Sequence, residues 1–205
     1  MFVATIVARG GMRQHVGVAV VALLVATGCA GRDFVRADAD SLILSKTIET
    51  EIRQRFGNPY REGTVVKNGE TLKTLNHACA AGAGSLAGGR TPARGQGFHF
   101  SNGVLVGHDF TSSFDEDKTD FDLAKAKQIR QGEATEASVV TLLGKPQGVY
   151  RYPLIKAKDD RAIVYRYEQL KGTAFNLKFY NQQLIVTVDG NGIVKDVELS
   201  SAGER

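Results

Sequence analysis

The sequence predicts an α+β protein of two tandem two-layer units, each an αα-hairpin packed on a three- or four-stranded antiparallel sheet. Three observations carry that expectation: a helical pattern with its stops recurs twice, period-two segments follow each copy, and Asn-Gly or Asp-Gly turns separate the strand candidates. The clearer copy is GEATEASVVTLLGKP, Gly132 to Pro146, with Thr135 as candidate N-cap and Val139, Val140, Leu142 and Leu143 at helical spacing. Gly144 and Pro146 write its stop. Displaced 87 residues toward the N-terminus, SKTIETEIRQRFGNP places Ile52, Phe56, Gly57 and Pro59 where the later copy has Val139, Leu143, Gly144 and Pro146. Repetition at such a period implies two copies of one supersecondary unit.

The chain opens on an apolar and small-residue run of 13, Val16 to Gly28, preceded by Arg9 and Arg13. That length is short of the roughly 20 residues a helix needs to span a bilayer and fits a signal-peptide core. Ala26, Thr27 and Gly28 lead into Cys29, which resembles a bacterial lipobox. By that resemblance residues 1–28 are a lipoprotein signal peptide and Cys29 is lipidated. Residues 29–40 are then a polar tether, 41–114 the first unit and 115–205 the second. The expected location is the cell envelope, anchored through lipid, with the outer membrane facing the periplasm favoured over the inner membrane because no Asp follows Cys29 directly. Two or more acyl chains make such an anchor stable.

On the first helix Ile48, Ile52 and Phe56 share a face, and Thr47 can cap it. Strands are expected at Thr64–Lys67 and Thr71–Asn76 about Asn68-Gly69, then in GFHF and VLVGHDF about Asn102-Gly103. The glycine- and alanine-rich run between them, Ala78 to Gly97, reads as a long loop. FDEDKTDFD, from Phe114, marks the boundary between units. Leu123, Ala126 and Ile129 then form one face of a helix that makes a hairpin with the next. Five strand candidates follow, at Val149–Tyr152, Ala162–Glu168, Phe175–Tyr180, Gln183–Val188 and Ile193–Leu199, the last entered through Asp189–Gly192.

Helix, Gly-x-Pro, strands and a closing hairpin such as LIVTVDGNGIVKDVELS resemble the SmpA/OmlA, or BamE-like, lipoprotein domain. Its helical signature finds Thr47, Glu51, Ile52, Gly57 and Pro59 in place, with Ser45 for its first Gly and Phe56 for its Leu, and again Gly132, Val139, Leu143, Gly144 and Pro146, with Ala134 and Ser138 where Thr and Glu are expected. Single-copy members are small outer-membrane lipoproteins that assist a β-barrel assembly machine, so the resemblance implies a scaffold role. Tandem units of a similar fold also occur in secreted protein inhibitors of β-lactamase.

Composition excludes little but is informative about charge. The formal charge of +4 falls to +2 once Arg9 and Arg13 leave with the leader, and no basic run carries interleaved aromatics, so nucleic acid is not an expected partner. His77, Cys79, His99 and His108 gather every histidine and cysteine after residue 29 into the first unit, with His99 and His108 on two arms of one hairpin. These residue types ligate zinc or copper, but none of the usual zinc spacings is present, and no metal or other cofactor is expected. The acidic run after Phe114 lacks the glycine and glutamate of a calcium loop. Nucleophile elbows, His-Glu-x-x-His and phosphate-cradling loops are absent. The expectation is therefore a non-catalytic module that binds envelope proteins through an aromatic patch containing Tyr150, Tyr152, Tyr165 and Tyr167. The competing expectation is a periplasmic protein inhibitor or a metal-responsive sensor working through the histidines.

Overall fold

The computed structural model describes residues 30–82, 89–173 and 176–204. Period-two segments dominate it, and they assemble into one continuous antiparallel sheet of ten strands, curled like half a barrel. These are β1 (Ala30–Gly31), β2 (Arg61–Lys67), β3 (Glu70–Ala80), β4 (Arg90–Thr91), β5 (Ala93–Ser101), β6 (Val104–Ser112), β7 (Gly148–Tyr150), β8 (Arg161–Thr173), β9 (Asn176–Val188) and β10 (Val194–Gly203). Among the described residues three short helices accompany them: α1 (Glu49–Phe56), α2 (Leu123–Ala126) and α3 (Glu136–Leu143).

This corrects the expected fold class of two helix-hairpin units. Strands β6 and β7 pair through Gly107↔Tyr150, His108↔Val149 and Asp109↔Gly148, which carries the sheet across residue 115. Left unpaired there, both strands would present rows of unsatisfied backbone groups. Nor do the helical hairpins form. Ahead of α1 there is only a 3₁₀ turn at Ala39–Ser41. Ahead of α3, the Asp122 side chain caps α2 by accepting from the Ala124 and Lys125 backbone N–H groups, but α2 ends after one turn. Gln128 and Ile129 then bond back over the shorter three-residue span, to the Lys125 and Ala126 carbonyls. Leu123, Ala126 and Ile129 still reach the core, as their spacing requires.

The repeat itself survives inside the single sheet. Helices α1 and α3 begin and end at positions 87 residues apart, and each stops at a glycine with positive φ, Gly57 at 72° and Gly144 at 84°. Only glycine enters that region cheaply. Each helix is preceded by an isolated bridge, Ile48↔Val104 in the first half and Thr135↔Ile193 in the second. Each is followed by a four-strand meander, β2-β3-β5-β6 and then β7-β8-β9-β10.

Other expectations change in detail. Thr135 is the N-cap of α3 and shares a capping box with Ser138, whereas α1 is capped by Ile48 without a side-chain bond. The Thr47 hydroxyl accepts from the Ile43 N–H instead. The stretch expected as a loop is strand up to Ala80 and again from Ala93, residues 83–88 lying outside the described residues. Two strand candidates after residue 175 fuse into β9. Residues expected as a tether carry β1, paired with β3 at Cys79 and Ala80, and bury Phe34 and Ala37.

Both helices lie on one face of the sheet. Under α1, Ile52 packs with Leu75, Phe98, Phe100, Leu105 and Leu42. Beneath α3, Val139 packs with Ile163, Tyr165, Leu184, Val186 and Val194. The opposite face is covered only in part: the segment 151–160 lays Leu154 and Ile155 over Tyr150, Ala162 and Val164. Asn68 fastens that segment by donating to the Pro153 and Ile155 carbonyls, at 2.8 and 3.0 Å.

Candidate functional site

Strand parity decides which side chains meet on the face away from the helices. On β6 the positions Gly107, Asp109 and Thr111 point there, while Leu105, His108 and Phe110 point toward the helices. Across the β6–β7–β8 pairings the same face receives Tyr150, Val164 and Arg166. The chain thereby places a carboxylate from the first half beside a phenol and a guanidinium from the second.

Asp109 is 2% exposed and fully engaged. Its Oδ2 accepts from the Tyr150 hydroxyl at 2.7 Å and lies 3.0 Å from His99 Nε2. Its Oδ1 accepts from an Arg166 terminal nitrogen at 2.8 Å. Burial pushes the carboxyl up, but the His99 bond, the Arg166 charge and the Tyr150 bond override it and hold Asp109 well below the usual carboxylate range. Burial, with the neighbouring Asp109 charge, raises the Tyr150 phenol well above its ordinary value. Arg166, lowered by burial, is raised above its ordinary value by Asp109 and Glu168. Such a centre is electrostatically closed: its carboxylate is charged, buried and satisfied.

Beside it the floor is built from small residues, Ala78, Ala93 and Gly95, which half-exposed grooves of about 260 and 350 Å³ run over, sharing Ala93 and Glu168. Their rims carry Tyr60 and Phe179, each 65% exposed, together with Glu168. The Thr111 hydroxyl is buried in this wall with no hydrogen-bond partner. Larger hollows of about 510 and 550 Å³ lie elsewhere, over the Glu49–Lys73 ion pair and beside Asp122. Those are open dents, and neither is lined by Asp109, Tyr150 or Arg166.

The histidines and cysteine grouped by sequence do not converge. His77 lies on the helix-side face among the rings of Phe34, Phe56 and Phe98, at 5.9, 6.3 and 5.8 Å between centroids. Its Nε2 has no partner, and burial lowers its pKa. His108 is also on that side, where burial depresses it to about 4. His99 faces the other way. The β5–β6 register pairs Phe98 with His108 and His99 with Gly107 after a bulge at His99/Phe100, so the two histidines project on opposite faces. Cys79 is disulfide-bonded, which removes it as a thiol nucleophile or thiolate ligand. Among the described residues no three His, Cys, Asp or Glu side chains gather in metal-binding reach.

The aromatic patch is likewise corrected. Tyr165 and Tyr167 alternate toward the helices and are buried, with Tyr165 donating to the Gly144 carbonyl at 2.8 Å and Tyr167 to Gln169 Oε1 at 3.2 Å. Burial pushes the Tyr165 phenol up to about 12. Tyr150 is buried at Asp109, and Tyr152 is half-buried with the Lys158 ammonium 5.2 Å from its ring centre. Tyr165 instead couples the stop of α3 to the sheet beneath it. Sequence reasoning missed Asp109, Arg166 and Glu168. One signal was present: Asp109 interrupts an apolar run in VLVGHDF, a place where a carboxylate is expensive unless it is paired. Cys29 and the leader lie outside the described residues.

No family model matches this chain, and no curated protein matches it. Among solved structures, a protein from Streptococcus mutans provisionally described as a β-lactamase inhibitor protein is similar, with 13% sequence identity and a TM-score of 0.39 over 78% of this chain and 90% of that one.

Proposed function

We propose that this chain is an exported, non-catalytic protein-binding module that engages another envelope protein through the sheet face away from its helices. The observation that supports this reading most is the contrast on that face. A buried Asp109 centre has every strong acceptor occupied, and next to it lies a shallow small-residue floor rimmed by exposed Tyr60, Phe179 and Glu168. A floor of Ala78, Ala93 and Gly95 lets a partner's backbone approach closely, while aromatic rims are the residue type that anchors interfaces. A closed charge centre stiffens the wall and offers no general base with an ordinary pKa.

Site-specific photocrosslinking in the producing cell tests the proposal. A photoreactive residue at Tyr60 or Phe179 is expected to give one adduct of defined mass, abolished by Glu168→Arg. The same reporter at Gln54 or Thr141, on the exposed sides of α1 and α3, gives none. Adducts at the helices alone, or at neither place, would discard the open face as the docking surface.

A further inference from the structure

On the helix side of the sheet, where the two halves meet, a cavity of about 270 Å³ opens between residues 36–39 and residues 145–147, which lead from α3 into β7. His108 and Phe110 of β6 lie in its wall. Both sides are fastened to the sheet. The Ala37 N–H donates to Gln96 Oε1 at 3.4 Å. The Gln147 backbone donates to the Val164 carbonyl at 2.8 Å and accepts from the Phe110 N–H at 3.0 Å.

The fold leaves polar groups of this lining without partners. His108 is 4% exposed, and no hydrogen bond among the described residues reaches its ring. With its pKa depressed to about 4 by burial, that ring is a neutral imidazole at pH 7 and has one N–H to give. Gln147 Nε2 donates to the Lys145 carbonyl at 2.7 Å, which fixes the orientation of the amide and leaves Oε1 as a buried acceptor with no partner. Arg36 and Lys145 are exposed and make no ion pair among the described residues. The Arg36 guanidinium rests 4.3 Å from the Phe110 ring centre. Asp38, the acid of the lining, already accepts from the Asp40 N–H.

We propose that this cavity binds a small 2-hydroxycarboxylate. Its carboxylate meets Arg36 and Lys145 and accepts from the His108 N–H, its hydroxyl donates to Gln147 Oε1, and its carbon body lies on Phe110 and Pro146. Two cations against one carboxylate favour a net anion. An amine in place of the hydroxyl would be protonated and would add a third cation beside them, so the donor is a hydroxyl. The volume lies just below the roughly 300–1,000 Å³ of sites for drug-sized molecules, which keeps the ligand small. This site is independent of the docking face proposed above.

Imidazole NMR of the whole chain purified from the producing cell tests the proposal, with the His108 resonances assigned from His108→Gln. Millimolar lactate is expected to shift them saturably. Propanoate, which lacks the hydroxyl, and alanine, which carries an ammonium, are expected to bind roughly tenfold more weakly or worse. Sodium chloride at matched ionic strength should leave His108 in place. No shift with lactate, an equal shift with sodium chloride, or equal affinity for propanoate overturns the proposal. His77, enclosed by the rings of Phe34, Phe56 and Phe98, is the internal control, and an equal shift there would mark a change of the whole fold and discard the local site. Lys145→Met, at an exposed position, should weaken lactate roughly tenfold, and an unchanged affinity overturns the assignment. In Gln147→Met lactate and propanoate should become indistinguishable. If that variant does not fold, the comparison of the two acids on the wild-type chain decides the same point.

Discussion

The two halves of this sheet share a backbone plan and differ in what they bury. Both have a helix stopped by a glycine, an isolated bridge before it and a four-strand meander after it. The half under α3 is closed by aliphatic and aromatic side chains, Ile163, Leu184, Val186, Val188 and Val194 among them. Its buried Gln182 is satisfied, donating to the Phe121 carbonyl at 2.8 Å and to Asp120 at 3.1 Å. In the half under α1, by contrast, the core admits His77 and His108, and buried polar atoms of His77, Arg94, His99 and Thr111 lack hydrogen-bond partners, against Gln147 Oε1 alone among the described residues of the second half. A repeated pattern thus fixes where helices stop and strands pair, while leaving each half free to be dry or polar inside. Acid sensitivity should therefore reside in the first half, and the Asp109 centre is where the two halves depend on each other.

Three experiments sharpen or break that comparison. The largest effect is expected at the junction. Asp109→Ala leaves the Tyr150 hydroxyl and the Arg166 guanidinium facing a buried gap and should cost about 3–5 kcal/mol in urea unfolding. An unchanged midpoint would mean that the halves do not lean on this carboxylate. Next comes pH. The folded-state pKa of His108 is depressed to about 4 from an ordinary 6.5, so the unfolded chain binds its proton first. Its contribution is fully present above pH 6.5 and is lost as pH falls toward 4, on the order of 3 kcal/mol in all. The lowered His77 acts in the same direction. His108→Gln should flatten that slope in urea titrations between those two pH values, and an equally steep slope would place acid sensitivity elsewhere. Asp109 adds a separate loss below about pH 4, where a carboxyl held low in the fold is protonated first when unfolded.

The smallest effect separates the two helix starts. Thr135→Ala removes the side-chain half of a capping box and should cost about 1 kcal/mol. Ile48→Ala, at the equivalent position, removes no cap bond from a residue already 42% exposed and should cost clearly less. Equal costs would show that the pattern match extends to capping energetics, contrary to the geometry.

Much of the local structure was legible in the sequence for identifiable reasons. Asn68-Gly69 and Asn102-Gly103 form their turns with positive φ at all four residues, because those side chains tolerate the left-handed region. Asp189 closes the last turn by accepting from the Asn191 and Ile193 N–H groups. The candidate site was not legible. Tyr165 and Tyr167 have the alternation of a half-buried strand, yet alternation does not say which face is covered. His99 and His108 looked like cross-strand neighbours until a one-residue bulge put them on opposite faces.

What the sequence by itself determined was every interaction that spans a few residues: the glycine stops, the hairpin turns, the Thr135 cap and the 87-residue repeat. Only the tertiary structure decided that β6 and β7 join the halves into one sheet, that α2 is a single turn, and that Asp109 meets Tyr150 and Arg166. The physical reason is range. Turn and cap energies depend on φ, ψ and neighbouring side chains, whereas strand partners 41 and 57 residues away are chosen by which edges remain unpaired and which face stays dry.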